Sequence, residues 1–123
     1  MQKLTIFLEE KSAFTTTIEA TLLEKGFNVE HLDPLAEGDI SVDALVIFHD
    51  NHNLDKRTIE VRDHFEKHQI ATHKIDLSGT LNVALSHLSL FLERIKSRKV
   101  LFIGAPSLKD HPKMEIFKEK WTL

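Results

Sequence analysis

Residues 46–60 read VIFHDNHNLDKRTIE. An apolar run ends at His49 and gives way to carboxylates, amides and imidazoles, so chemistry is sought here first. Three chemistries can be written from the residue types. Asp50 offers an oxygen that can accept a phosphoryl group, provided other carboxylates hold a Mg²⁺ ion and a hydroxyl and a cation steady the phosphate. Glu9 and Glu10 supply such carboxylates, Ser78 a hydroxyl and Lys109 a cation. Glu60 is a carboxylate of the kind that attacks or stabilises a ribosyl carbon. His64 and His68, four residues apart on one helical face, are spaced to share a zinc ion, with His49 and His52 nearby in sequence. In HFEKH, however, the glutamate stands one place late for HExxH, and the pair lies at the far end of its helix from His49 and His52. No transition-metal site is expected.

The elements that position these groups follow from hydrophobic period. Leu4–Leu8, Phe27–Leu32, Ala44–Phe48, Ile70–Ile75 and Val100–Ile103 read as strands, and Ala44–Phe48, apolar on both faces, as the centre of the sheet. Phe14, Ile18 and Leu22 form the stripe of a first helix stopped by Gly26, with Thr16 and Glu19 at capping-box spacing. Leu54, Val61 and Phe65 share one arc of another. Helix 81–96, capped by Thr80, carries the stripe Leu81, Ala84, Leu85, Leu88, Leu92 and Ile95; Pro112 opens a last helix bearing Met114, Phe117 and Trp121. Asp33–Val42 is too short for a normal crossover helix, since a parallel crossover takes about a dozen residues, so either the second layer is truncated here or a single helical turn serves.

Strands alternating with helices predict an α/β fold: a single three-layer, flavodoxin-like sandwich over residues 1–123. It is expected to have a five-stranded parallel sheet in the order 2-1-3-4-5 and a truncated connection between the second and third strands. In such sheets ligands bind beyond the carboxyl ends of the strands. That rule gathers Glu9, Glu10 and Ser12, His49, Asp50 and Asn51, then Asp76, Ser78 and Gly79, then Pro106, Ser107 and Lys109. Asp76-Leu-Ser-Gly79 reads either as a turn with helix-cap chemistry or as a phosphate perch at a helix start.

The stretches LTIFLEEKSAFTTTIEATLLEKGFNVE and DALVIFHDNHNLDKRTIEVRDHF, about half the chain, resemble the receiver domain of bacterial response regulators. The resemblance implies Glu9 and Glu10 as the acidic pair holding Mg²⁺ with Asp50, Asp50 as phosphoacceptor and Ser78 as switch hydroxyl. This chain departs from the family in three ways: its acidic pair lacks an aspartate, its second helix has almost no room, and Ala105-Pro106 stands where the family has Lys-Pro. The resemblance therefore points to a degenerate receiver serving as a binding or interaction module without catalysis, for which Mg²⁺ is the one cofactor to consider. A second stretch, DKRTIEVRDHFEKHQIATHKID, is similar in layout to the nucleoside 2-deoxyribosyltransferase and TIR-like families. That likeness implies a nucleoside or NAD N-glycosidase, with Glu60 catalytic, Asp55 a sugar ligand and Asn82 a base contact. Lys56-Arg57-Thr58 replaces the Asp-x-Gly-Thr pattern of the transferases. Both readings have Glu60 open its helix; otherwise it is a first-turn acid, favoured there by the helix dipole.

Composition narrows the partners. Of the 123 residues 41% are hydrophobic and 28% charged, which suits a soluble globular domain with a real core. The absence of cysteine excludes disulfides and thiolate chemistry and fits a reducing compartment. The apolar run at the N-terminus is too short for a signal segment, so a cytoplasmic protein is expected. Sixteen basic residues against nineteen acidic ones, net −3, give no footprint for nucleic acid, and no segment is long enough to span a membrane. A small nucleotide-like ligand remains compatible. Val83 and Leu90, opposite the core stripe of helix 81–96, predict a homodimer patch.

Overall fold

The computed structural model describes residues 4–10, 12–35, 42–51, 53–94 and 98–121. In chain order these form β1 (Thr5–Glu9), α1 (Ala13–Glu24), β2 (Asn28–Leu32), β3 (Ala44–His49), α2 (Lys56–Lys67), β4 (Ala71–Asp76), α3 (Leu81–Arg94), β5 (Lys99–Gly104), a 3₁₀ turn (Pro106–Asp110) and α4 (Pro112–Lys120). The strands make one parallel sheet in the order β2-β1-β5-β3-β4. The α/β fold with an all-parallel sheet is as the sequence predicts, and among the described residues no helix lies between β2 and β3. His52 and Ile95, and 36–41 of the β2–β3 connection, lie outside the described residues.

The strand order differs from the predicted 2-1-3-4-5. β5 does not close an edge; it enters between β1 and β3 and takes the centre expected for Ala44–Phe48. Burial explains the exchange. Val100, Leu101, Phe102 and Ile103 are buried with the sheet covered on both faces, as is all of β3 from Ala44 to His49. β4, by contrast, exposes Lys74, and β2 exposes Asn28, Glu30 and His31. Strands apolar on both faces bury most area inside the sheet, while strands with a polar side lose least at an edge.

Alternation along each strand divides the interior into two cores. Ile6, Leu8, Val46, Phe48, Ile75, Val100 and Phe102 face α1, α3 and α4. Phe7, Leu45, Ile47, Leu101 and Ile103 face Val61 and Phe65 of α2, with Leu35 and Val42 from the β2–β3 connection beside them. Among the described residues one face thus carries three helices and the other only α2. The predicted stripes hold: Phe14, Ile18 and Leu22 on α1 and Leu81, Leu85, Leu88 and Leu92 on α3 are buried. The cap of α1 is Ser12, whose hydroxyl accepts from Phe14 N at 3.2 Å, and not Thr16, whose own hydroxyl donates to the Ser12 carbonyl. Gly26 ends α1 at φ 87°, a left-handed conformation that glycine adopts without strain.

Trp121, 1% exposed, closes the larger core. It stacks on Phe27 at 5.0 Å and on Phe117 at 5.6 Å, and tilts against Phe102 at 5.5 Å. Its indole N–H has no hydrogen-bond partner among the described residues, so its contribution is packing alone. Trp121→Ala is expected to cost about 3–5 kcal/mol in urea unfolding. Trp121→Phe should cost clearly less, because no hydrogen bond is lost with the indole. Equal losses in the two variants would contradict a pure packing role.

Candidate functional site

The chain leaves β1 and β5 toward the three-helix face and leaves β3 toward α2 on the other face. The crevice where these paths diverge is where an open α/β sheet takes a ligand. A cleft of about 380 Å³ lies there, lined by Glu9, Glu10, Ser12, Ala13, Asp55, Arg57, Thr58, Gly104 and Pro106. Its walls are the ends of β1 and β5 and the first turns of α1 and α2. Thr15, 4% exposed, donates its hydroxyl to the Glu9 carbonyl at 2.6 Å and pins the β1–α1 turn. Gly104 ends β5 beneath the cleft; a Cβ there would come within 2.9 Å of Leu108 Cδ1 and 3.0 Å of the Phe14 ring. The residue must therefore stay small.

Arg57 dominates the charge of this crevice. From the first turn of α2 its Nε donates to Glu9 Oε1 at 2.6 Å and its terminal nitrogen to Asp33 Oδ1 at 3.2 Å, tying the ends of β1 and β2 to α2. A smaller recess of about 190 Å³ is lined by Glu9, Glu10, Asp33 and Arg57. Partial burial acts to lower the Arg57 pKa, but hydrogen bonds and charge from Glu9 and Asp33 outweigh it and hold the pKa above the usual guanidinium value. Asp55 caps α2, accepting from Thr58 N at 3.1 Å.

A second polar cluster sits at the ends of β3 and β4. Asp76 Oδ1 accepts from the Ser78 hydroxyl at 2.6 Å, from Ser78 N at 2.9 Å and from Asn51 N at 3.0 Å. His49, 2% exposed, holds Nδ1 3.9 Å from the same oxygen. The Ser78 hydroxyl is the largest cause holding the Asp76 pKa down at about 2; the backbone N–H groups and His49 add to it, while burial opposes. Asn51 adopts φ 52°, which asparagine tolerates, and turns the β3 loop back so that its N–H meets Asp76. Asp50 Oδ2 lies 3.5 Å from His111 Nε2, while His111 Nδ1 accepts from Lys113 N and caps α4. The Nδ1 bond places the ring proton on Nε2, facing Asp50. Lys113 Nζ donates to the Gly79 carbonyl at 2.6 Å.

The structure thus sorts the predicted residues into two groups. Glu9, Glu10 and Asp55 line the cleft; His49, Asp50, Asn51, Ser78 and Gly79 belong to the β3–β4 cluster and do not line it. With β5 between them, β1 and β3 stand two strand spacings apart, about 9–10 Å. Adjacent strands would have brought Glu9 closer to Asp50. Glu60 is one turn inside α2 and not its first residue; it is exposed and does not line the cleft. Asn82, Ser107 and Lys109 are likewise exposed, and the post-β5 cation that reaches the β3–β4 cluster is Lys113. His64 and His68 lie together at 4.8 Å between rings, with His68 Nδ1 bonded to the His64 carbonyl. Among the described residues no three His, Asp or Glu side chains group so as to hold a metal ion. No helix among them is long and apolar enough to cross a membrane.

Arg57, Asp33 and His111 did not stand out in sequence. Two of the three had a local signal: Arg57 stands two places after the helix-capping Asp55, and His111 directly before the helix-opening Pro112. Comparison with known families, curated proteins and solved structures gives no match.

Because the folded Asp76 carboxyl titrates near 2 and an unperturbed one near 3.9, its contribution is fully present above about pH 4 and is lost as pH falls through about 2. Unfolding of wild type and Asp76→Asn, followed from pH 6 to pH 2, should show a constant stability gap above pH 4 that narrows below it. A gap independent of pH would show that the charge of Asp76 does not matter.

Proposed function

We propose that the protein is a degenerate receiver-like binding module that holds a small polar ligand carrying a cationic group in the β1–β5–α2 crevice and does no chemistry on it. The observation that carries this reading is the cleft itself. Its volume of about 380 Å³ falls in the range typical of small-molecule sites, roughly 300–1,000 Å³, and it lies where the fold's topology favours a ligand. Its lining sets three carboxylates, Glu9, Glu10 and Asp55, against the single guanidinium of Arg57, with Asp33 adding a further acid in the adjoining recess. That balance favours an ammonium or guanidinium group over a phosphate. Glu9 is ion-paired and Asp55 is engaged as a helix cap, so neither is presented as a nucleophile or base. Mg²⁺ is not needed by this reading.

The test is a thermal-shift and calorimetric panel of primary diamines and guanidinium compounds beside inorganic phosphate, nucleotides and NAD. A cationic ligand at a hundredfold its Kd should add about 2.7 kcal/mol to stability. Glu9→Gln combined with Glu10→Gln should weaken that binding at least tenfold, with Asp50→Asn and Glu60→Gln leaving it unchanged. Stabilisation by phosphate compounds alone would overturn the charge argument. Release of free base from nucleosides or NAD, lost in Glu60→Gln, would replace this reading with the N-glycosidase one.

A further inference from the structure

We propose that β2 pairs antiparallel with β2 of a second copy of this chain, extending two five-stranded sheets into one of ten strands about a two-fold axis through Val29. β2 lies at the end of the sheet, bonded to β1 on one side, and among the described residues no strand pairs with its other side. A groove of about 480 Å³ lies at the start of β2, lined by Thr5, Leu23, Phe27, Asn28, Val29 and Glu30. It is separate from the cleft described above. Leu23, at 55% exposed, is among the most exposed large apolar side chains described and stands beside Phe27 and Val29 on the three-helix side. An open edge strand with apolar side chains beside it is a template for a further strand.

The opposite edge is guarded differently. β4 carries the exposed Lys74 in its fourth position, and α3 packs closely along it. A lysine in an edge strand discourages pairing.

Charge and register select a second copy as the occupant. In an antiparallel pair about a two-fold, opposed residues share a face, so over Asn28–Leu32 the pairing centres on Val29, Glu30 or His31; centring on His31 sets Val29 against Asp33 and Glu30 against Leu32, apolar side chains against acids. Centring on Glu30 sets two glutamates directly opposite each other, which is unfavourable. Centring on Val29 sets Val29 against Val29, Asn28 against Glu30 and Phe27 against His31. Like charges then never oppose. The same arrangement brings the end of α1, where Lys25 caps the helix ahead of β2, toward the Glu30 half of the other strand, twice over. The exposed Val83 and Leu90 of α3, at 50% and 55%, offer only two side chains per copy, far from the roughly 800 Å² per partner of a stable interface.

The chain has no cysteine, so single-cysteine variants read the contact directly. Opposed Cα atoms in an antiparallel pair are about 4.5–5.5 Å apart, inside the range a disulfide spans. Sedimentation equilibrium of the wild type from micromolar to millimolar concentration should show a monomer–dimer equilibrium, shifted at least tenfold toward monomer by Leu23→Glu with an unchanged circular dichroism spectrum. Mild oxidation should cross-link Val29→Cys faster than Glu30→Cys, and Leu90→Cys not at all. A monomer at every concentration overturns the proposal. So does a dimer that cross-links through Leu90→Cys, which assigns the interface to α3, or one that cross-links faster through Glu30→Cys than through Val29→Cys.

Discussion

The claim of β5 on the centre of the sheet governs the rest of the molecule. Val100–Ile103 cannot face water on either side without exposing large apolar area, and neither can Ala44–Phe48 or Ile6–Leu8. At about 25 cal/mol per Å² of apolar surface removed from water, each such side chain contributes roughly 1.5–3 kcal/mol when buried. Three strands of this kind fill the three inner positions of a five-stranded sheet, and β2 and β4 are left for the edges. From that order follow the position of Gly104 beneath the crevice, the spacing between β1 and β3, and a β2 edge that no strand among the described residues pairs.

That spacing decides how the acids at the carboxyl edge behave. With β1 and β3 adjacent, Glu9, Glu10 and Asp50 would crowd together and demand a cation. Separated by β5, each set finds its own partner within the chain. Glu9 and Asp33 are bridged by Arg57; Asp76 takes three donors from Ser78 and Asn51; Asp50 faces His111. Exposed ion pairs of this sort contribute only about 0–1 kcal/mol each. Their effect is on position: Arg57 fixes α2 against the ends of two strands, and Asp76 fixes the β3 loop against the β4 turn. The crevice walls are therefore set by charge, and its floor by the contact of Gly104 with Phe14 and Leu108.

Much of the fold was legible in the sequence because hydrophobic period is a local signal. The strands, the helical stripes of Leu85, Leu88 and Leu92, and the stop at Gly26 all follow from residues within a few places of one another. Strand order is not a local signal, and the flavodoxin-like order 2-1-3-4-5 expected for alternating strands and helices places β5 at an edge instead of the centre. Yet the information was there: four of the six residues of ATHKID are polar, as suits an edge strand, while VLFI is apolar throughout. The site was legible by position, since Glu9, Glu10 and Asp55 do line the cleft. Its electrostatics were not legible. Arg57 bonds Glu9 across 48 residues and Asp33 across 24, and no spacing rule reaches that far.

The crevice and the β2 edge are also joined by covalent chain. Asp33 is the first residue after β2, and its carboxylate is one of the two that hold Arg57. A strand that gains hydrogen bonds along its open edge loses freedom at its end, so pairing of β2 as proposed restricts Asp33. Restricting Asp33 in turn would stiffen the guanidinium between it and Glu9, at the wall where the proposed cationic ligand would compete for the same carboxylates. Such a ligand would find Glu9 less available in the dimer than in the monomer. By reciprocity it would bind better to, and so favour, the chain with its β2 edge free.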